Sequence, residues 1–181
     1  MKTVYVPSGP RGVGKSTLCT KIKAEYSDIV IISKDEIFDE ILARSEKTGP
    51  FDLTETHKQA MKTLSTLLQL VLRKPGVRII LDCFNSYPYE RKEMLFVLKQ
   101  MGADRVVCWQ FTTPIEISLP WYLEREKSKF NGHVEVAHFA AMEHRGFFEK
   151  YWRNSQNIKS EGFDQVHKFD PRELTDLSLI M

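Results

Sequence analysis

The chain has 181 residues, 42% of them apolar and 28% charged, with a formal net charge of +2 at pH 7. That length and mix describe one globular domain with enough chain for a real core, and the small charge makes no electrostatic case for a nucleic acid or membrane partner. The three cysteines Cys19, Cys83 and Cys108 lie far apart without a C-x-x-C, which argues against a disulfide framework or zinc site and fits a reducing compartment.

Met1 to Pro7 predicts a first strand. Its apolar run is too short for a signal-peptide core, and no stretch approaches membrane-spanning length, so a cytoplasmic, membrane-free protein is expected. Gly9-Pro10-Arg11-Gly12-Val13-Gly14-Lys15-Ser16-Thr17 comes next and reads G-x-x-x-x-G-K-S, the phosphate-binding P-loop pattern. A strand before it and a helix over Ser16–Tyr26 after it are the order the physics needs. Backbone N–H groups of the glycine-rich turn form an anion nest, and the helix adds the positive end of its dipole. ATP is the expected ligand. Residues 9–17 would surround it, Lys15 would reach the β- and γ-phosphates, and Ser16 would hold Mg²⁺. The Arg11 side chain is expected toward solvent.

Ile29 to Ile32 is a continuous apolar run, as in a strand buried on both faces. Ser33 then caps a helix to about Ser45, with Glu36 placed for a capping box. Asp35, at the start of that helix, is a candidate general base for an incoming hydroxyl, although a carboxylate there also suits the helix dipole. Lys47-Thr48-Gly49-Pro50 breaks the chain. A long helix over Leu53–Lys74 follows, ended by Pro75-Gly76. Arg78 to Asp82 is the third strand, and Asp82 at its end is a candidate for the metal or for the acceptor, both left open. Asn85 is equally a substrate contact or a turn cap.

Pro88 to Met101 predicts a helix with Gly102 as its C′ residue, and Asp104 to Phe111 a fourth strand. Ser118 is expected to cap a further helix that carries Pro120 in its first turn and runs to Lys129. Arg125 and Lys129 share a face and are candidate cations for a lid over about 118–145. Asn131-Gly132 marks a turn, Val134 to Trp152 a helix, Phe163 to Phe169 the last strand, and Pro171 the start of a short terminal helix. The five histidines form no trusted ligand spacing, and Trp109, Trp121 and Trp152 read as core.

Alternating strands and helices predict an α/β fold: a three-layer α/β/α sandwich on a five-stranded parallel sheet, one P-loop domain over residues 1–181 with a helical lid. Ligands in such sheets bind beyond the carboxyl ends of the strands, which places the P-loop, Asp35 and Asp82 on one rim. No N-K-x-D tetrapeptide occurs, against a GTP-reading switch. A non-catalytic ATP-binding module is a further alternative that the intact Lys15, Ser16, Asp35 and Asp82 weigh against.

Beyond the P-loop, four further features occur in a telling order. They are Ser33-Lys34-Asp35-Glu36, Asp82-Cys83-Phe84-Asn85, Pro88-Tyr89-Glu90-Arg91, and Leu123-Glu124-Arg125 with Lys129 after it. In order and spacing, from Val4 to about Met142, the chain resembles the P-loop kinases of the polynucleotide kinase and zeta-toxin group. The resemblance implies ATP and Mg²⁺ as cofactors, Asp35 as the base and Arg125 as a lid cation. Lys129 stands where the group has a second arginine, keeping charge without the planar fork. Phe38 stands where polynucleotide kinases place an arginine for the acceptor's phosphate, with Lys34 or Arg44 as conceivable substitutes. The implied acceptor is a polynucleotide 5′-hydroxyl or a nucleotide. Phe38 keeps a small hydroxylated molecule (sugar, antibiotic or amino-sugar nucleotide) in view. The segment Asp170-Pro171-Arg172 is expected near the adenine, by fold analogy.

Overall fold

The computed structural model describes every residue except 46–51, 84 and 131–133, and only the backbone of 45, 128–130 and 134–135. The expected breaks at Lys47–Pro50 and Asn131–Gly132, the residue Phe84 and the Lys129 side chain therefore lie outside the described residues. Five strands, β1 (Thr3–Ser8), β2 (Val30–Ser33), β3 (Arg78–Asp82), β4 (Arg105–Phe111) and β5 (Gln165–Phe169), form one sheet in the order β2-β3-β1-β4-β5. Every pairing is parallel; Tyr5 of β1 lies opposite Ile80 of β3 on one side and Val107 of β4 on the other. The helices are α1 (Lys15–Glu25), α2 (Lys34–Ser45), α3 (Leu53–Leu72), α4 (Pro88–Gln100), α5 (Ile115–Phe130) and α6 (Val134–Asn154).

Alternation along the central strands divides the core in two. Val4, Val6, Ile79, Leu81, Val106 and Cys108 face Leu64, Leu68 and Leu72 of α3 and Leu95 and Leu98 of α4. Tyr5, Ile80, Val107, Trp109 and Phe111 face Leu18 and Ile22 of α1 and Phe148 of α6. The chain end closes this second layer: the Tyr5 hydroxyl donates to the Met181 carbonyl at 2.6 Å and Trp109 Nε1–H to the Ile180 carbonyl at 2.8 Å. The three-layer sandwich read from the sequence is the observed architecture.

Local chemistry explains most helix starts. Ser33 Oγ accepts the Glu36 N–H at 3.4 Å, Asp52 accepts the Thr54 N–H at 2.7 Å, and the Glu90 carboxylate accepts the Tyr87 N–H at 3.1 Å ahead of Pro88. Two expectations are corrected. Ser118 does not cap α5. The helix begins at Ile115, and the Pro114 carbonyl accepts the N–H groups of Ile117 and Ser118 at 3.1 and 2.9 Å. Pro120 thus lies inside the helix, past its first turn. Pro171 opens a turn rather than a helix; the terminal helix is a 3₁₀ segment at Leu177–Ile180, capped by Asp176.

One buried ion pair fixes the rim behind the site. Arg91 is fully buried and meets Glu161 through Nε and Nη2, each at 2.5 Å. It also donates to the carbonyls of Asn85 at 2.9 Å and Asn154 at 2.7 Å. The guanidinium ties the loop after β3 to the end of α6, and removing one partner of such a pair costs about 3–5 kcal/mol.

Candidate active site

The P-loop is shaped by glycines that no other residue replaces easily. Gly12 and Gly14 have φ of +79° and +93°, in the left-handed region. A Cβ on Gly12 would also stand 2.7 Å from the Ser118 carbonyl, so α5 packs directly on the loop. Val13 is buried in the core, and its carbonyl accepts the Thr113 hydroxyl at 3.0 Å. Lys15 curls back over the loop, where its Nζ donates to the Gly9 and Pro10 carbonyls, both at 2.8 Å. Burial lowers its ammonium to about 8, helped by Arg125 and opposed by Asp82 and Asp35.

Above the loop lies a cleft of about 770 Å³. Its floor is Arg11, Gly12, Gly14, Lys15, Ser16 and Thr17; α2 contributes Lys34, Asp35, Phe38 and Asp39, and α3 contributes His57. Asp82 enters from the end of β3, and α5 brings Trp121, Arg125 and Glu126. Asp35, Phe38, Asp82 and Arg125, expected at the site from the sequence, are therefore brought together with the loop, and Arg11, whose side chain the sequence sends toward solvent, is exposed and lines the floor. Gly9 and Pro10 contribute through the carbonyls that hold Lys15. Asp82 is half-buried, and burial raises its carboxyl above the usual range, with Lys15 opposing and Asp35 adding to the rise. A desolvated carboxylate and the Ser16 hydroxyl, lining one cleft, are a hard-oxygen donor set that fits magnesium arriving with nucleotide phosphates.

Asn85 lies elsewhere. It is 5% exposed, and its Nδ2 donates to the Pro7 carbonyl at 3.0 Å and the Cys83 carbonyl at 3.1 Å. That makes it a tie between the ends of β1 and β3 that does not line the cleft, at a position where the sequence leaves a substrate contact and a turn cap equally open. Arg44 also stays out of the wall, at 3.5 Å from Glu40 on an exposed face of α2.

Arg125 stands on an aromatic support. Its guanidinium lies 5.7 Å from the Tyr122 ring centre, and its Nε donates to Glu126 at 3.0 Å. Tyr122 stacks on His144 at 4.6 Å and 9°, and His144 Nε2 is 3.4 Å from Ser118 Oγ. Burial, then the charges of Arg125, Arg145 and Arg11, hold the imidazole down at about 4.

Sequence reasoning missed four cleft residues, Asp39, His57, Trp121 and Glu126. Trp121 is 43% exposed and lies four residues before Arg125, a helical spacing that could have placed it on the same wall. His57 had no such signal, because it reaches the cleft only through the packing of α3 on α2. The Asp170–Arg172 turn lies against the loop: Pro171 Cγ is 3.3 Å from where a Gly14 Cβ would stand, and Arg172 pairs with Asp170 at 2.6 Å.

Sheet order, P-loop and rim placement define a P-loop NTPase fold of the kinase type. A family model described as an AAA domain, AAA_33, matches residues 4–147, and the chain belongs to that family. Solved structures share the fold. One is from the study of the PezAT chromosomal toxin–antitoxin system of the human pathogen Streptococcus pneumoniae, at 18% identity and a TM-score of 0.68, covering 97% of this chain and 74% of that one. Another is a fungal RNA kinase, at 16% identity and a TM-score of 0.61, covering 93% and 74%. A third is the tunicamycin resistance protein of Deinococcus radiodurans, at 17% and 0.56, covering 96% and 88%. No curated protein matches the chain in sequence. Among the described residues no helix is long and apolar enough to cross a membrane.

Proposed function

We propose that the chain is an ATP-dependent phosphotransferase that moves the γ-phosphate of ATP to a hydroxyl. The observation that supports this most is the single cleft onto which Lys15, Asp35, Asp82 and Arg125 all open. The loop amides and Lys15 hold the phosphates; Ser16 and Asp82 would hold magnesium, which supplies charge neutralisation between the β- and γ-phosphates. The acceptor oxygen attacks the γ-phosphorus, the bond to the β-phosphate oxygen breaks, ADP leaves, and Asp35 takes the hydroxyl proton. Arg125, with Lys129 as the second lid cation, offsets charge on the transferring group.

The first reading of the acceptor is a polynucleotide 5′-hydroxyl or a nucleotide, supported by the sequence resemblance to polynucleotide kinases and by the fold shared with an RNA kinase. A small hydroxylated molecule is the second, favoured by Phe38 in the cleft wall and by the fold shared with an antibiotic resistance protein. A γ-phosphate transfer screen over 5′-hydroxyl DNA and RNA, nucleosides, sugars and aminoglycosides tests both. Transfer only to small molecules rejects the polynucleotide reading, and ATP hydrolysis with no acceptor anywhere in the screen rejects the kinase assignment.

A further inference from the structure

His144 is buried and has no part in the chemistry above, yet it is joined to the residues that carry it. From α6 it lies flat against Tyr122 of α5, with ring centres 4.6 Å apart and planes 9° apart. Its Nε2 is 3.4 Å from the Ser118 hydroxyl. Ser118 and Tyr122 stand four apart on one face of α5. That face rests on the P-loop: a Cβ on Gly12 would stand 2.7 Å from the Ser118 carbonyl and 3.0 Å from Tyr122 Cβ. The Tyr122 ring in turn supports Arg125, whose guanidinium lies 5.7 Å from the ring centre.

The helix alone holds Arg125 weakly. Pro120 lies inside α5 and offers no N–H to the Glu116 carbonyl, so the backbone ladder is interrupted just before Tyr122. The Arg125 side chain is 55% exposed, and its bond to Glu126 lies within one turn of the helix. Such a pair fixes the side chain to the helix, not the helix to the loop. Two contacts from other elements do that. Gly12 meets the backbone and Cβ of the Ser118–Tyr122 turn and sets its distance from the loop. His144 meets the Tyr122 ring and sets the direction of the surface on which Arg125 rests. The supporting ring must be flat to stack and uncharged beside a guanidinium. Burial and the charges of Arg125, Arg145 and Arg11 keep the imidazole neutral. The Ser118 contact is long for a hydrogen bond, so the stack is the stronger hold.

We propose that His144 is a positioning residue for phosphoryl transfer: through the Tyr122 ring it sets where Arg125 stands over the P-loop. The inference rests on the phosphotransferase reading above and adds to it a residue that does not line the cleft.

His144→Phe keeps a flat ring and loses the Ser118 contact; His144→Gln keeps a polar group for Ser118 and loses the stack. The assay is single-turnover hydrolysis of Mg²⁺-ATP by the full chain, with water in place of the acceptor, so it does not depend on which acceptor is used. His144→Gln should slow it by about fivefold to tenfold and leave ATP affinity, measured by calorimetry, unchanged. His144→Phe should stay within about threefold of wild type. In an Arg125→Ala background His144→Gln should cost about twofold or less, because the side chain it positions is gone. Where His144→Gln fails to fold, Tyr122→Leu removes the same stack and carries the same expectations. A second readout needs no turnover: the Nε–Hε resonance of Arg125, assigned by its loss in Arg125→Lys, should move in His144→Gln and hold its place in His144→Phe. A cost of His144→Gln that is undiminished in the Arg125→Ala background makes His144 a structural residue and overturns the proposal. An Arg125 resonance unmoved in His144→Gln, or a Phe variant as slow as the Gln variant, overturns it too. The expected hydrolysis pattern with no acceptor phosphorylated keeps the positioning role and removes the kinase reading. Transfer to an acceptor that His144→Gln does not slow does the reverse.

Discussion

At the donor end of the cleft Lys15 is held by two main-chain carbonyls at 2.8 Å, on a loop whose turns need φ of +79° and +93°. At the acceptor end Lys34 is held by one imidazole from another helix, and the wall is made of side chains: Asp35, Phe38, Asp39 and His57. Few substitutions are compatible with the loop's backbone geometry, which in the proposed function would hold a triphosphate. Side chains on two packed helices can change one at a time without disturbing the loop. On the proposed phosphotransferase reading, donor recognition would be stiff and acceptor recognition adjustable.

The largest effect should come from the acceptor end. Asp35→Asn keeps the shape of the wall and removes the proton acceptor, so phosphoryl transfer should fall by about 10³–10⁴-fold. ATP affinity, measured by calorimetry, should stay near wild type. Unchanged turnover would take Asp35 out of the chemistry, and a matching loss of ATP affinity would show that the two ends are not separable.

Lys15→Ala strikes the donor end, and both quantities should suffer. Transfer should drop by about 10²–10³-fold, with ATP binding visibly weakened. An unaltered Michaelis constant and rate would defeat the P-loop assignment. Arg125→Ala comes next, at about 10–10²-fold in kcat, below the range of a buried arginine finger because this side chain is 55% exposed and shared with Glu126. Steady-state kinetics should show the loss in kcat with little change for ATP binding; a loss confined to KM would make Arg125 a binding cation only.

The same contrast explains what the sequence discloses. The P-loop is local in the chain: its glycines, Lys15 and Ser16 all fall within residues 9–16, and their spacing carries the geometry. The strands are legible for a related reason, since runs such as Ile29–Ile32 and Arg78–Leu81 have few other uses in a protein of this size. Ser118 misleads because it is a good cap residue, yet the helix had already begun under the Pro114 carbonyl. Asn85 reads as polar and near the rim, but its amide is turned to Pro7 and Cys83. His57 could not be read at all, since it is far along the chain from Asp35 and joins the cleft only when α3 packs on α2.

The smallest effect tests whether the donor end is as desolvated as its geometry implies. Burial lowers Lys15 to about 8 from the ordinary lysine value of 10.5. Nucleotide phosphates favour the ammonium, so bound Lys15 holds its proton to higher pH than free Lys15. Below about pH 8 the free protein already carries that proton, and ATP affinity should be flat there. Above it, binding must take up a proton, and the dissociation constant should rise toward tenfold per pH unit. Lys15→Arg keeps its charge throughout this range, so its affinity, whatever its value, should lose the slope. Calorimetry in two buffers of different ionisation enthalpy should record the proton uptake directly above pH 8 in the wild type and none in the variant. A break near 10.5 instead would mean that Lys15 is solvated. The donor end would then be as open to adjustment as the acceptor end.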